Sequence, residues 1–120
     1  MRMTTTRAND RVTEQSDALE LVARELTWIL TEIQSHNPVV GSPLSIEFTR
    51  KFFQLYRDFL KVKANIVDLC EEMEQAEFDD HTLSMVYQQT SSLLLRKCHQ
   101  GLFRQFSSVA ETGKLPIAET

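Results

Sequence analysis

From Phe48 to Ala76, apolar residues recur at alternating steps of four and three: Phe48, Phe52, Leu55, Phe59, Val62, Ile66, Leu69, Met73 and Ala76. A helix advances about 100° per residue, so this spacing lays them all along one seam, the pattern of a helix in a coiled coil or bundle. A strand would need alternation at every second residue, and the stretch has none. The chain must therefore supply, or find, other helices against which that seam can close.

The rest of the chain can supply two. With only three Gly and three Pro in 120 residues, few positions can stop a helix, and five of the six breakers fall in the stretches 38–43 and 113–116. A first helix is expected over about 10–36, carrying Val12, Leu19, Val22, Leu26, Ile29 and Ile33, with Ala23 and Leu30 widening the stripe. It should end at His36-Asn37-Pro38, because proline disfavours helical geometry in the residue before it. The second helix is expected over about 43–77, with Ser42 as its N-cap and Pro43 at the first helical position, where a missing N–H costs nothing.

Nothing near residue 78 compels a stop. Yet the seam, extended, runs through Asp80, Leu83, Tyr87, Thr90, Leu94, Lys97, Gly101 and Arg104 and loses its apolar character. A turn at about 77–80 accounts for this. Asp79 would cap a third helix over about 80–111, Phe78 and Leu83 would form a hydrophobic staple, and Gly113 would close the far end. One continuous helix over 44–111 is the alternative. In the third helix apolar rows repeat every eleven residues (Tyr87, Cys98, Val109; Leu83, Leu94; Leu95, Phe106). That period winds opposite to a heptad, so a kink near Gly101 or a change of packing partner after Leu94 is needed.

These elements predict an all-α fold: an elongated antiparallel three-helix bundle over 10–112 with coiled-coil-like heptad packing, a flexible N-terminus over 1–9 and a flexible tail over 113–120. The apolar share of 42% and charged share of 25% suit a folded water-soluble chain. No apolar run approaches the roughly 20 residues of a spanning helix. The first residues lack the apolar core of a secretory signal. Their Arg and Thr content hints at a mitochondrial presequence, but Asp10, Glu14 and Asp17 follow at once and argue against one. Cys70 and Cys98 form no CxxC pattern, and in the expected turn geometry they are offset by about twelve residues, or ~18 Å, too far for a disulfide. A reducing compartment, cytoplasmic or nuclear, follows as the expectation.

Chemistry is sparse. No GxGxxG, GxxxxGK[ST], HExxH or GxSxG motif is present. Cys98 and His99 are adjacent, so on a helix they diverge by about 100° and cannot chelate one ion. No cofactor, metal or catalytic residue is assigned. A small all-α enzyme drawing an acidic substrate to its Arg and Lys residues would need a pocket that a thin bundle hardly offers.

What stands out is surplus apolar surface. Leu21 and Trp28, seven residues apart, share a face of the first helix opposite its apolar stripe, flanked by Arg24, Glu25 and Glu32. An outward Trp there is a candidate anchor for a partner, or else it lies over a groove between helices. On the second helix, Phe53, Tyr56, Leu60, Val67 and Cys70 add another apolar row, giving Phe53, Tyr56 and Leu60 as a second candidate contact. An acidic tip (Glu71, Glu72, Glu74, Glu77, Asp79, Asp80) lies at the expected turn. A basic band (Arg57, Lys61, Lys63, Arg96, Lys97) lies along the second and third helices, with Lys61 and Lys63 expected near Glu14, Asp17 and Glu20.

The function expected from these features is a non-enzymatic protein–protein interaction module: a small helical adaptor, chaperone or complex subunit that docks partner helices and forms homo- or hetero-oligomers. Nucleic-acid association through the basic band is the alternative. Against it stand a net charge of −4 and aromatic spacing that fits core packing better than base stacking.

Overall fold

A computed structural model describes residues 2–78, 80–112 and 115. Two long helices form its body, α1 over Thr5–His36 and α2 over Pro43–Gln75. A shorter α3 follows over His81–Lys97 and α4 over Phe103–Thr112, while the two-residue segments β1 (Arg2–Met3) and β2 (Glu77–Phe78) pair in parallel. The fold is an all-α bundle, elongated to 61 × 22 × 18 Å. α1 and α2 share the most extensive contact, and α3 packs more on α2 than on α1.

The ends of α1 and α2 follow local chemistry. Asn37 ends α1 in the left-handed region (φ 43°), a conformation asparagine tolerates, and its N–H reaches the Ile33 carbonyl at 2.8 Å. Pro38 then prevents continuation. Ser42 caps α2 by accepting the Ser45 N–H at 3.2 Å, with Pro43 at the first turn. Ala76 leaves the helix in extended backbone, so α2 stops at Gln75 instead of 77 and hands the chain to β2.

Three expectations about boundaries need correction. First, α1 begins at Thr5, capped by Thr4, and not at about residue 10. The buried row is Ala8, Val12, Gln15, Leu19, Val22, Leu26, Ile29 and Ile33, an unbroken alternation of four and three in which polar Gln15 hides the continuity. The segment 1–9, expected to be flexible, holds β1 and the first turn of α1, and Met3 is buried. Second, the residue capping α3 is Asp80, whose Oδ1 accepts the Thr82 N–H at 2.9 Å. Asp79 lies outside the described residues, and Phe78 stacks on Tyr87 with centroids 6.0 Å apart.

Third, the expected helix over 80–111 is two helices. Gly101, at φ +59°, occupies a region that side chains disfavour, and short-range bonds such as His99 N–H to Arg96 O (3.0 Å) close the turn around it. The break resolves the clash between heptad and eleven-residue periods: α4 restarts in its own phase and buries Phe103, Phe106 and Val109. Gly113 and the 113–120 tail, apart from Leu115, lie outside the described residues; Leu115 packs against the core.

Candidate protein-docking surfaces

The Phe106 ring of α4 sits 5.0 Å from Phe59, 5.2 Å from Phe52 and 5.6 Å from Tyr56, all of α2. α4 thus covers part of the second apolar row. Of the candidate contact residues there, Phe53 and Tyr56 are half-buried against the core, and Leu60 remains exposed. An antiparallel third helix reaches this part of α2, but which side of it meets Tyr56 depends on how α4 is rotated after the break, and spacing alone does not show that.

Leu21 and Trp28 do face outward from α1, 53% and 52% exposed. Trp28 also lies beside the α1–α2 groove, so outward exposure and a groove setting hold together. The groove encloses about 490 Å³, with Trp28, Ile29 and Leu55 as its apolar lining and Glu25, Arg50 and Asp58 among the charges at its rim. Lys51 Nζ stands 5.4 Å from the centroid of the indole while Glu47 Oε1 holds it at 3.0 Å. A cation thus stands over the ring while the residue stays half exposed. The register of α1 on α2 brings Lys51 to Trp28, and no spacing within one helix could have shown it.

The acidic tip divides. Glu71, Glu74 and Glu77 are exposed. Glu72 is engaged by Arg11 and Asp80 by its capping role. In the basic band Arg57, Lys61, Arg96 and Lys97 are exposed and Lys63 is half-buried. The expected pairing of Lys61 and Lys63 with Glu14, Asp17 and Glu20 does not form among the described residues; Glu20 lies 3.6 Å from Arg24 of its own helix. Further along α2, Asp68 and Glu71 succeed Arg57 and Lys61 on the exposed side, so a polyanion tracking that helix would soon meet like charge.

α3 carries an apolar face that sequence reasoning missed. Met85, Val86 and Leu93 are exposed, and the seven-residue step from Val86 to Leu93 was the available signal. The longer eleven-residue rows, Leu83 with Leu94 and Tyr87 with Cys98, lie on another side of the helix and dominate its apolar pattern.

The cysteines are both free thiols. Cys70 Sγ donates to the Ser91 carbonyl at 3.3 Å, which marks the register of α2 on α3. Cys98 is therefore offset from Cys70 by about 10 Å along the axis, not ~18 Å. Burial pushes the Cys98 thiol up, the positive Lys63 pulls it partly back, and Cys70 adds to the rise. Cys98 is buried and His99 exposed, so the two point apart. Among the described residues, no three His, Cys, Asp or Glu side chains converge to hold a metal ion, and no helix is long and apolar enough to cross a membrane. No family model matches the chain, and no curated protein or solved structure matches it.

Proposed function

We propose that this chain is a non-enzymatic helical interaction module, an adaptor, chaperone or subunit that receives an apolar helix face of a partner protein on the α1–α2 groove. The observation that carries the reading is Trp28: the only Trp of the chain, half exposed over an apolar groove, with Lys51 fixed against its ring. Tryptophan is the side chain most enriched among binding hot spots, because burying its large rigid surface costs little conformational freedom. The mixed charges at the rim suit a polar surround to such an anchor.

The test uses co-purification from the native cell, wild type against Trp28→Ala. The variant should keep its helicity and melting temperature and lose the protein that travels with the chain. Its single indole also provides a probe: its emission should shift to the blue when that protein is added back. Unchanged co-purification by Trp28→Ala, or global unfolding of the variant, would refute the reading.

A further inference from the structure

Along the outer ridge of α2 charge is segregated by sign. Ala64 lies nine residues from buried Leu55 and from buried Met73, about 180° around the helix from each, so it marks the crest of the exposed face. Before it on that face stand Arg57 and Lys61; after it stand Asp68 and Glu71; all four are exposed. Neighbours at helical spacing are therefore of like sign, Arg57 with Lys61 and Asp68 with Glu71, an arrangement that disfavours an isolated helix. Among the described residues none of the four joins an ion pair. To one side of Ala64 lie Leu60 and Val67, 44% and 37% exposed.

This ridge is complementary to itself. We infer that a second copy of this chain docks on it, with the two α2 helices antiparallel about a two-fold axis beside Ala64. In that arrangement a residue at position i faces one near 128 − i on the other copy. Arg57 then meets Glu71 of the second copy, and Lys61 meets Asp68, each twice by symmetry. Leu60 and Val67, on one shared side of the ridge, meet each other across the axis. The small Ala64 side chain lets the backbones approach, and the antiparallel helix dipoles attract. A parallel pair would set like charges opposite each other. From Arg57 to Glu71 the ridge is only about 21 Å long, at the small end of interface sizes, so the dimer is reversible.

The inference shares the helix-docking principle of the proposed function but needs neither Trp28 nor a heterologous partner. Sedimentation equilibrium of the full chain, from about 10 µM to about 1 mM, should show a monomer–dimer equilibrium weakened by salt. Arg57→Glu and Glu71→Arg should each raise the dissociation constant at least about tenfold with helicity unchanged, and the double reversal should restore dimerisation. Ala64→Cys should crosslink to itself across the axis under mild oxidation. Trp28→Ala should dimerise like wild type, which separates this contact from the groove. A chain that stays monomeric throughout overturns the inference. So does a dimer indifferent to Arg57→Glu, or a double reversal that remains monomeric.

Discussion

Arg11 and Glu72, sixty-one residues apart in sequence, meet in a two-pronged ion pair, Nη1 to Oε2 at 2.6 Å and Nη2 to Oε1 at 3.1 Å. The pair ties the beginning of α1 to the last turn of α2, beside the point where β1 pairs with β2. Both side chains are about seven-tenths buried, so solvent screens them less than a surface pair. A double-mutant cycle with Arg11→Ala and Glu72→Ala should give a coupling of about 1 kcal/mol, read from urea unfolding and reduced in high salt. A coupling of zero would mean that the geometry contributes nothing beyond the two separate side chains.

Phe106 is the most deeply buried residue of α4. Its aromatic contacts are with Phe103 of its own helix and with Phe52, Tyr56 and Phe59 of α2. Phe106→Ala should cost about 3–5 kcal/mol if the helix unfolds with the rest. If α4 instead detaches alone, hydrogen exchange should show protection lost over 103–112 first, and Tyr56 should become exposed.

Gly101 should resist substitution for a backbone reason. Among the described residues a Cβ there would meet nothing within 4 Å, so Gly101→Ala tests the φ of +59° without steric interference. The expected cost is about 1 kcal/mol in thermal or denaturant unfolding. Gly101→Asn should cost less, because asparagine accepts that region more readily.

Gln15 is 7% exposed, and among the described residues its Oε1 has no hydrogen-bond partner. It occupies a seam position that apolar residues fill elsewhere on α1. Replacing it by leucine removes an unsatisfied acceptor and adds apolar burial, so Gln15→Leu should raise stability by about 1 kcal/mol. A fall in melting temperature would show that the amide is needed where it stands.

Cys98 gives the chain a pH dependence of definite sign. Burial raises its thiol above the unfolded value of about 8.5, so the folded state holds the proton longer than the unfolded state. The associated stability is complete below about pH 8.5 and falls as pH rises through the folded value. Wild type should therefore lose stability relative to Cys98→Ala as the solution is made alkaline beyond that point, while the two curves run parallel near neutrality. At neutral pH the half-buried Cys70 should react with a thiol reagent before Cys98 does.

Much of the fold was legible because it rests on local rules. The heptad seam of α2, the Ser42-Pro43 start and the Asn37-Pro38 stop are each set by a few adjacent residues, and the structure keeps them. The break at Gly101 was visible only as a conflict between two periods. α1 starts about five residues before the expected position, because Thr5, Thr6 and Arg7 precede the first seam residue, Ala8, and carry no apolar signal of their own. Of the candidate sites, the outward direction of Trp28 and Leu21 followed from helical phase alone. The cap of α3 is Asp80, one residue past the expected Asp79, and spacing does not distinguish two adjacent acids.

The sequence by itself determined that the chain is helical and which side of α1 and α2 is buried, because both depend on spacing of a few residues and on caps within a turn. Only the tertiary structure decided what lies on each face: that Phe106 of α4 packs on Tyr56, that Lys51 stands over Trp28, and that Arg11 holds Glu72. Those outcomes depend on the register of one helix on another, which is fixed by the summed packing of the whole interface and by no short stretch of chain.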